Sequence, residues 1–269
     1  MNGMLIKLEW KQMLRSRWMQ LVGLLFTFVF TTIVVIQQMA LPDVEGFTRQ
    51  TASFLNVLFF LLPLFILTIG SMSVASDIES GWYSLLKTYP MTIVQFIQGK
   101  FVAIVSAFFL IAALAFGVVF SLSGLLGGVR LSLLFICLTA LCIVIFTAVA
   151  IFIGTLAKTR LFALALSLVV WSFFLLLLSY ALMAIGTVVA GHVLQKMTIV
   201  VMHINPVEWL RFGYFLFTDQ ASVLGPSFYS LTQFYTSVAG MVTYATVTVL
   251  WVGLPLIGAR IVLRKRGRK

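Results

Sequence analysis

The sequence predicts an all-α integral membrane protein with six transmembrane helices, and two observations carry that prediction. Of the 269 residues, 62% are apolar and 9% are charged, against about 45–50% and 25% in an average soluble domain. Six stretches of at least 22 residues contain no Asp, Glu, Lys, Arg or His, and each is long enough to cross the ~30 Å hydrocarbon core of a bilayer. These stretches are residues 18–39, 54–75, 101–123, 131–157, 161–185 and 234–258. The segments between them are too short to hold a soluble domain, so residues 1–269 are expected to form a single transmembrane domain.

The basic residues predict the orientation of the chain. Its net charge is +11, which in a soluble protein would suggest a nucleic-acid partner. With the N-terminus in the cytoplasm, fourteen of the 18 Lys and Arg residues fall on the cytoplasmic side and four on the outer side. Because cytoplasmic loops carry this excess in membrane proteins, both termini are expected in the cytoplasm, in a multi-pass protein of the plasma or inner membrane. The charge then needs no nucleic-acid partner to explain it.

The segment before the first span is typical of an amphipathic elbow helix at the membrane surface. Its apolar residues recur at helical spacing and are Ile6, Trp10, Met13, Leu14 and Trp18. The residues that face elsewhere are Lys7, Lys11, Gln12 and Arg15. Aromatic side chains suit the headgroup zone, and cations suit an anionic leaflet. This helix is either a topology anchor or part of a gating movement.

The segment between spans two and three carries the clearest pattern outside the membrane. Positions i, i+4, i+7, i+8 and i+11 of one helical stripe are Ile78, Trp82, Leu85, Leu86 and Tyr89. Asp77 and Glu79 lie in the first turn and Lys87 in the last, as the helix dipole favours. Pro90 then ends the helix. The pattern therefore predicts a cytoplasmic helix over residues 77–89.

Two interpretations of this helix stay open at this point. Many membrane proteins lay a short helix on the bilayer surface without functional consequence. Alternatively, Trp82 and Leu85 anchor the stripe in the protein, while the acidic and basic side chains face a soluble partner. A second helix is expected to follow directly, because Thr92 and Gln95 have the spacing of a capping box.

A pair of helices is predicted on the outer side, between spans five and six. Residues 193–204 form a mainly apolar run that is too short to span, with the length expected of a re-entrant or interfacial segment. Asn205 fits the N-cap and Pro206 the first position of a following helix. Glu208 can pair with Arg211 one turn later. Such a pair closes the bundle, gates an exit or receives an external partner.

Several kinds of chemistry are absent from the sequence. All seven carboxylates lie outside the spans, so no intramembrane relay for ion coupling is expected. The chain lacks a phosphate-binding loop, since Gly99-Lys100 has no glycine five residues before Gly99. We therefore expect no enzyme activity and no bound cofactor. Four residues predicted on the outer side have the donor types of a Cu(I) site: His192, Met197, Met202 and His203. Methionines are frequent in this apolar chain and fall there by chance, so no metal is expected.

Two motifs resemble those of a known family. After span two the chain reads Asp77-Ile-Glu79-Ser-Gly81-Trp-Tyr-Ser-Leu85-Leu86-Lys-Thr-Tyr-Pro90, with Gly99-Lys100 nine residues further on. Before span six it reads Asn205-Pro206-Val-Glu208-Trp-Leu-Arg211. Together with the span count, these motifs resemble the six-span permease subunits of type-2 ABC transporters, particularly a NosY-like branch.

The resemblance implies an architecture and several site residues. It implies two permease copies, a cytoplasmic ABC ATPase dimer that binds ATP and Mg, export of a substrate, and a possible external accessory protein. The implied ATPase-coupling residues are Asp77, Glu79, Gly81, Trp82, Leu85, Leu86, Lys87 and Pro90. The implied outer gate consists of Asn205, Pro206, Glu208 and Arg211. The implied pathway runs along spans one, two and five, and its few polar residues are Gln37, Gln38 and Asn56. The alternative is a non-transporting scaffold or assembly factor for an envelope complex.

Overall fold

The computed structural model describes residues 2–40, 49–86, 91–126, 133–218, 220 and 224–266. Over these residues the helices begin with α1 (Asn2–Leu14), α2 (Arg17–Ala40), α3 (Arg49–Glu79), α4 (Trp82–Leu86), α5 (Ile93–Leu126) and α6 (Leu133–Leu156). They continue with α7 (Arg160–Ser172), α8 (Leu178–Gly186), α9 (Gly191–Ile204), α10 (Pro206–Phe217), α11 (Tyr229–Thr236) and α12 (Val238–Arg266). A π-helical segment, Phe173–Leu177, joins α7 to α8, and a 3-10 turn, Pro226–Phe228, precedes α11.

Six helical units are long and apolar enough to cross a membrane, which confirms the predicted fold class. Within the described ranges they are α2, α3, α5, α6, the continuous unit from α7 to α8, and α12. Several of them extend past the uncharged stretches, and at one junction α3 continues to Glu79 while α5 begins as early as Ile93. Both extensions lie where spans two and three are joined.

The predicted elbow helix is present as α1, and a short turn at Arg15 and Ser16 separates it from α2. It packs against α5, with Glu9 and Met13 buried and Trp10 exposed. One face of α1 is therefore held by the bundle, and the opposite face is free for the membrane surface.

The centre of the bundle is the contact between α3 and α6, where small residues let the two backbones approach closely. A Cβ atom added at Gly154 would lie 2.6 Å from the carbonyl oxygen of Ser71. A Cβ atom added at Gly70 would lie 2.9 Å from Cβ of Ala150. Close approach between small residues is the usual way in which membrane helices gain packing energy.

Hydrogen bonds join α7 to α3 next to this contact. The hydroxyls of Ser71 and Ser167 lie 2.6 Å apart, and Ser167 also donates to the carbonyl oxygen of Leu67 at 2.9 Å. One turn further along α7, Trp171 Nε1 donates to the carbonyl oxygen of Phe60 at 3.0 Å. These bonds set the register between spans two and five.

The six spans differ in how much of their surface the chain itself covers. In the most apolar stretch of α6, 67% of the residues are buried inside the chain. The same share is 28% for span one, 17% for span six and 11% for span five. Spans one, five and six therefore offer most of their surface to lipid or to another protein.

Candidate functional site

The loop between spans two and three is shorter and more broken than the sequence predicts. The predicted helix over residues 77–89 is interrupted after Glu79, because Gly81 has a φ of +75°, which ends α3 with a left-handed residue that favours glycine. A separate short helix, α4, follows. Asp77 and Glu79 therefore belong to the helix of span two and not, as predicted, to the surface helix. Lys87 and Pro90 lie outside the described residues, as does the side chain of Leu86.

The break at Gly81 also changes which side chain anchors α4. Tyr83 is 6% exposed, and its ring packs on Phe96 of α5 with ring centroids 5.0 Å apart. Burial raises the pKa of the Tyr83 phenol above its ordinary value. Trp82 is 36% exposed and Leu85 is 50% exposed, so the prediction that these two anchor the helix is wrong. They form an exposed apolar pair instead.

Glu79 joins this loop to the one between spans four and five. Its Oε2 accepts a hydrogen bond from the backbone N–H of Arg160 at 2.9 Å and lies 3.7 Å from Arg160 Nε. A carboxylate at this end of α7 also suits the dipole of that helix. Glu79 stays 41% exposed, and its contact with a soluble partner stays a prediction.

Asp77 does not face solvent as expected, but belongs to a buried charge cluster formed by side chains of three helices. Lys100 of α5 lies 2.7 Å from Asp77 of α3 and 2.6 Å from Glu9 of α1. Lys100 also donates to Ser73 Oγ at 3.2 Å. Both Glu9 and Lys100 are 2% exposed, so each charge depends on its partners for compensation. The physical reason for the correction is that α3 continues past Asp77 and turns this side chain toward α5.

Sequence analysis did not assign Glu9 or Lys100 to this cluster. Lys100 sits directly before the apolar run of span three, and a lysine at the edge of a buried helix needs a carboxylate partner. That signal points to an ion pair, but it does not say which of the carboxylates is the partner. The cluster joins the elbow helix α1 to α3 and α5.

Between spans five and six, the predicted helix break at Asn205 and Pro206 is present. Asn205 is extended, with φ −106° and ψ 109°, and its Oδ1 accepts from the backbone N–H of Val207 at 3.0 Å. Its Nδ2 donates to the carbonyl oxygen of Phe174 at 2.6 Å. The residue is fully buried, so its side chain satisfies backbone groups that no water can reach.

The contact with Phe174 places the break beside the middle of span five. Phe174 is twelve residues from Gly186, the last residue of that span, which is ~18 Å along the helix at 1.5 Å per residue. Helix α9 therefore enters the bundle as a re-entrant segment, and α10 returns to the surface. Of the two predictions for residues 193–204, the re-entrant one fits this geometry.

The predicted gate and pathway residues meet at Arg211. Arg211 donates to Glu208 Oε1 at 2.8 Å and to Asn56 Oδ1 of span two at 3.5 Å. Because both charged side chains are about 30% exposed, the pair contributes under ~1 kcal/mol and serves mainly to orient the arginine. Gln37 and Gln38 lie in α2, but their side chains lie outside the described residues.

A cavity of about 410 Å³ adjoins this ion pair between α8, α9 and α10. Its lining is mostly apolar, and its polar points include Ser179, Thr198, Glu208 and Arg211. An apolar cavity with few polar groups is the usual form of a small-molecule site. Helices α9 and α10 thus form two walls of a cavity.

Helix α9 brings His203 beside Trp251 of span six. Trp251 Nε1 donates to the backbone carbonyl oxygen of His203 at 3.3 Å. The imidazole Nδ1 lies 2.7 Å from the carbonyl oxygen of Ile199, which can only accept, so Nδ1 carries a proton. Nε2 lies 2.6 Å from Tyr235 Oη. The described residues contain no group of three His, Cys, Asp or Glu side chains that could hold a metal ion.

Comparisons with known proteins complete this description. The family model described as "ABC-2 family transporter protein" matches residues 4–266. A relative from Pseudomonas aeruginosa named "Probable ABC transporter permease protein NosY" is 28% identical over 208 residues, which cover 74% of this chain and 75% of the relative. A relative of the same name from Stutzerimonas stutzeri is 27% identical over 208 residues, with the same coverage.

Proposed function

The chain belongs to the ABC-2 family of transporter proteins, and on that premise we propose that it forms the substrate pathway of an ATP-driven exporter. The family match confirms the resemblance drawn from the two sequence motifs. The chain is a multi-pass permease subunit of an ABC transporter, in a family whose ATPase activity lies on a separate subunit. The proposal adds the direction of transport, the ATPase contact and the second copy.

One observation carries the ATPase contact: α4 presents an exposed apolar pair on a firmly held helix. Trp82 and Leu85 are exposed, while the neighbouring Tyr83 is buried against Phe96. Exposed aromatic and aliphatic side chains at one point of a surface are typical of a protein contact. We expect the cytoplasmic ATPase to cover this pair, with Glu79 and Lys87 at its polar edge.

The contacts around α4 suggest how movement of the ATPase would reach the membrane. A force on α4 acts on α3 directly, on α7 through the bond from Arg160 to Glu79, and on α1 and α5 through the buried cluster at Lys100. Packed helices and ion pairs with two discrete arrangements are the physical carriers of such coupling. The chain therefore has a route from one surface helix to three of its spans.

The exposed surface of span five and its neighbours supports the proposal of a second copy. Asn56 and Phe60 of α3 are exposed, and α3 contacts both α2 and α7, whose spans are largely uncovered by the rest of the chain. Two such faces brought together would enclose a pathway that is mainly apolar, with Asn56, Gln37 and Gln38 as polar points. A pathway of this character suits an amphipathic cargo that leaves the cytoplasm through the outer helix pair.

The decisive experiment measures ATPase stimulation by the permease after both are reconstituted in membranes. The double variant Trp82→Asp with Leu85→Asp should lose stimulation and still fold, because both side chains lie on the surface. Ser80→Asp is the matched control, since it adds a charge beside α4 without removing apolar surface. Normal stimulation by the double variant would refute the coupling role. If the tagged chain co-purifies with no ATPase subunit from its host, the alternative of a membrane scaffold is favoured.

A further inference from the structure

A second large groove lies away from the coupling helix, on the face formed by spans four, five and six, and its far end adjoins the end of α9 at His203 and Ile204. Its volume is about 690 Å³, within the range of ~300–1,000 Å³ typical of ligand sites. The lining is almost entirely apolar and includes Phe152, Leu166, Val170, Trp251, Leu254 and, at one end, His203. Because spans five and six are largely uncovered by the rest of the chain, the groove opens to the hydrocarbon of the bilayer.

Basic side chains stand beyond the other end of this groove. Lys158 follows two residues after Leu156, which lines the groove, and it is exposed. Lys265 follows eleven residues after Leu254, which is three helical turns and therefore the same face of α12. Its side chain is also exposed. One cation thus lies in the bend that joins α6 to α7, and the other lies on α12.

A third basic residue, Arg266, holds these two helix ends together. Its Nη2 donates to the carbonyl oxygens of Leu156 and Ala157, both at 2.9 Å. The nearby Arg160 is engaged by Glu79. Among the described residues, no carboxylate lies within ion-pair distance of Lys158 or Lys265. Their charges are therefore available to an external anion.

The spacing between the groove and the cations matches one leaflet of a bilayer. From Leu254 to Lys265 the helix rises ~16 Å, and half of the hydrocarbon core is ~15 Å. A lipid with its phosphate at Lys265 would therefore bring the ends of its acyl chains to the level of Leu254 and Trp251. Basic pockets between membrane helices are known to bind anionic lipid headgroups.

We propose that this face binds one anionic phospholipid from the leaflet that contains the C-terminal end of α12. Its phosphate is held by Lys158 and Lys265, and an acyl chain ends in the groove between α6, α7 and α12. The site requires neither the ATPase contact nor the outer gate, so it stands independently of the proposed function. Under this proposal, the exposed face of span six binds anionic phospholipids in preference to the neutral lipids of the bilayer.

Tryptophan quenching tests the proposal, since Trp251 lines the groove. The chain is reconstituted in phosphatidylcholine vesicles that contain either brominated phosphatidylglycerol or brominated phosphatidylcholine at equal mole fraction. The Trp251 signal is the difference in fluorescence between the wild type and Trp251→Phe. Each lysine near an anionic headgroup favours it by about fivefold in binding, so the phosphatidylglycerol should quench this signal at several-fold lower mole fraction.

Two pairs of variants give the matched controls. Lys158→Ala with Lys265→Ala should abolish the preference, whereas Arg264→Ala, which removes a neighbouring charge off the groove face, should retain it. Val170→Phe narrows the groove and should weaken quenching by both lipids, whereas Val169→Phe changes an adjacent exposed residue and should not. Equal quenching by the two lipids in the wild type, a preference that survives in the double lysine variant, or no quenching by either lipid would each overturn the proposal.

Discussion

The side-chain amide of Asn205 donates a hydrogen bond to the carbonyl oxygen of Phe174 at 2.6 Å. This contact joins the break between α9 and α10 to the π-helical segment of span five. In that segment the N–H of Leu178 bonds to the carbonyl oxygen of Phe173, five residues back rather than the four of an α-helix. The shift leaves the carbonyl of Phe174 in reach of Asn205. One side chain therefore couples the outer helix pair to a span proposed to line the pathway.

Asn205→Ala should destabilise the protein more than the loss of a helix cap alone. The substitution removes an N-cap worth about 1 kcal/mol and leaves the buried Phe174 carbonyl without its amide donor, at about 1–3 kcal/mol. Thermal unfolding in mild detergent measures the loss. Thr159→Ala is the matched control, since Thr159 caps α7 at an exposed position. A loss no larger than that of Thr159→Ala would show that the contact with Phe174 contributes little.

Much of the outer helix pair follows from local sequence. Pro206 cannot donate a backbone hydrogen bond and disfavours helical geometry in the residue before it, so the break at Asn205 is fixed by two adjacent residues. The capping box is equally local, and the structure contains both of its bonds: Thr92 N–H donates to Gln95 Oε1 at 2.9 Å, and Gln95 N–H to Thr92 Oγ1 at 3.3 Å. Six spans follow as directly from six uncharged stretches.

The contacts that sequence analysis missed depend on distant parts of the chain. Glu9 and Lys100 are 91 positions apart, and only the packing of α1 on α5 brings them together. The helix break at Gly81 assigns Asp77 to span two rather than to a surface helix. That break depends on the positive φ of Gly81, which the spacing of the apolar residues does not predict. His203 enters the membrane because a re-entrant helix carries it there, and hydropathy alone leaves such a short run undecided between burial and the interface.

Lys100→Met should strongly destabilise the protein, because it leaves the carboxylates of Glu9 and Asp77 buried without a cation. Breaking a buried ion cluster by removing one partner costs about 3–5 kcal/mol. The apparent free energy of unfolding in detergent should fall by this amount. Lys196→Met, at an exposed position, should change it by under ~0.5 kcal/mol.

A compensated variant separates loss of charge balance from loss of packing. Glu9→Gln and Asp77→Asn, added to Lys100→Met, remove all three charges and should recover part of the lost stability, because replacing a whole buried ion cluster is far less costly than breaking it. If the three-residue variant is no more stable than Lys100→Met, packing rather than charge explains the effect.

Gly154→Ala should weaken the contact between α3 and α6. The added Cβ would lie 2.6 Å from the carbonyl oxygen of Ser71, so the helices must separate, at a cost of about 1–3 kcal/mol. Gly117→Ala is the control within α5, because nothing lies within 4 Å of a Cβ there. Thermal unfolding should show a loss for Gly154→Ala and no loss for Gly117→Ala. Equal midpoints for the two variants would mean that α6 can shift without cost.

Thiol labelling of intact cells tests the proposed orientation of the chain. In a background where Cys137 and Cys142 are replaced by serine, Lys196→Cys and Glu208→Cys should react with a membrane-impermeant reagent added outside the cell. Lys196 is exposed and Glu208 partly so, and the excess of basic residues places both helices of the outer pair on that side. Glu79→Cys is the control for the opposite side and should react only after the membrane is opened. The reverse pattern would place α4 outside the cell, where no ATP-driven subunit can reach Trp82, and would overturn the coupling role and the outer gate together.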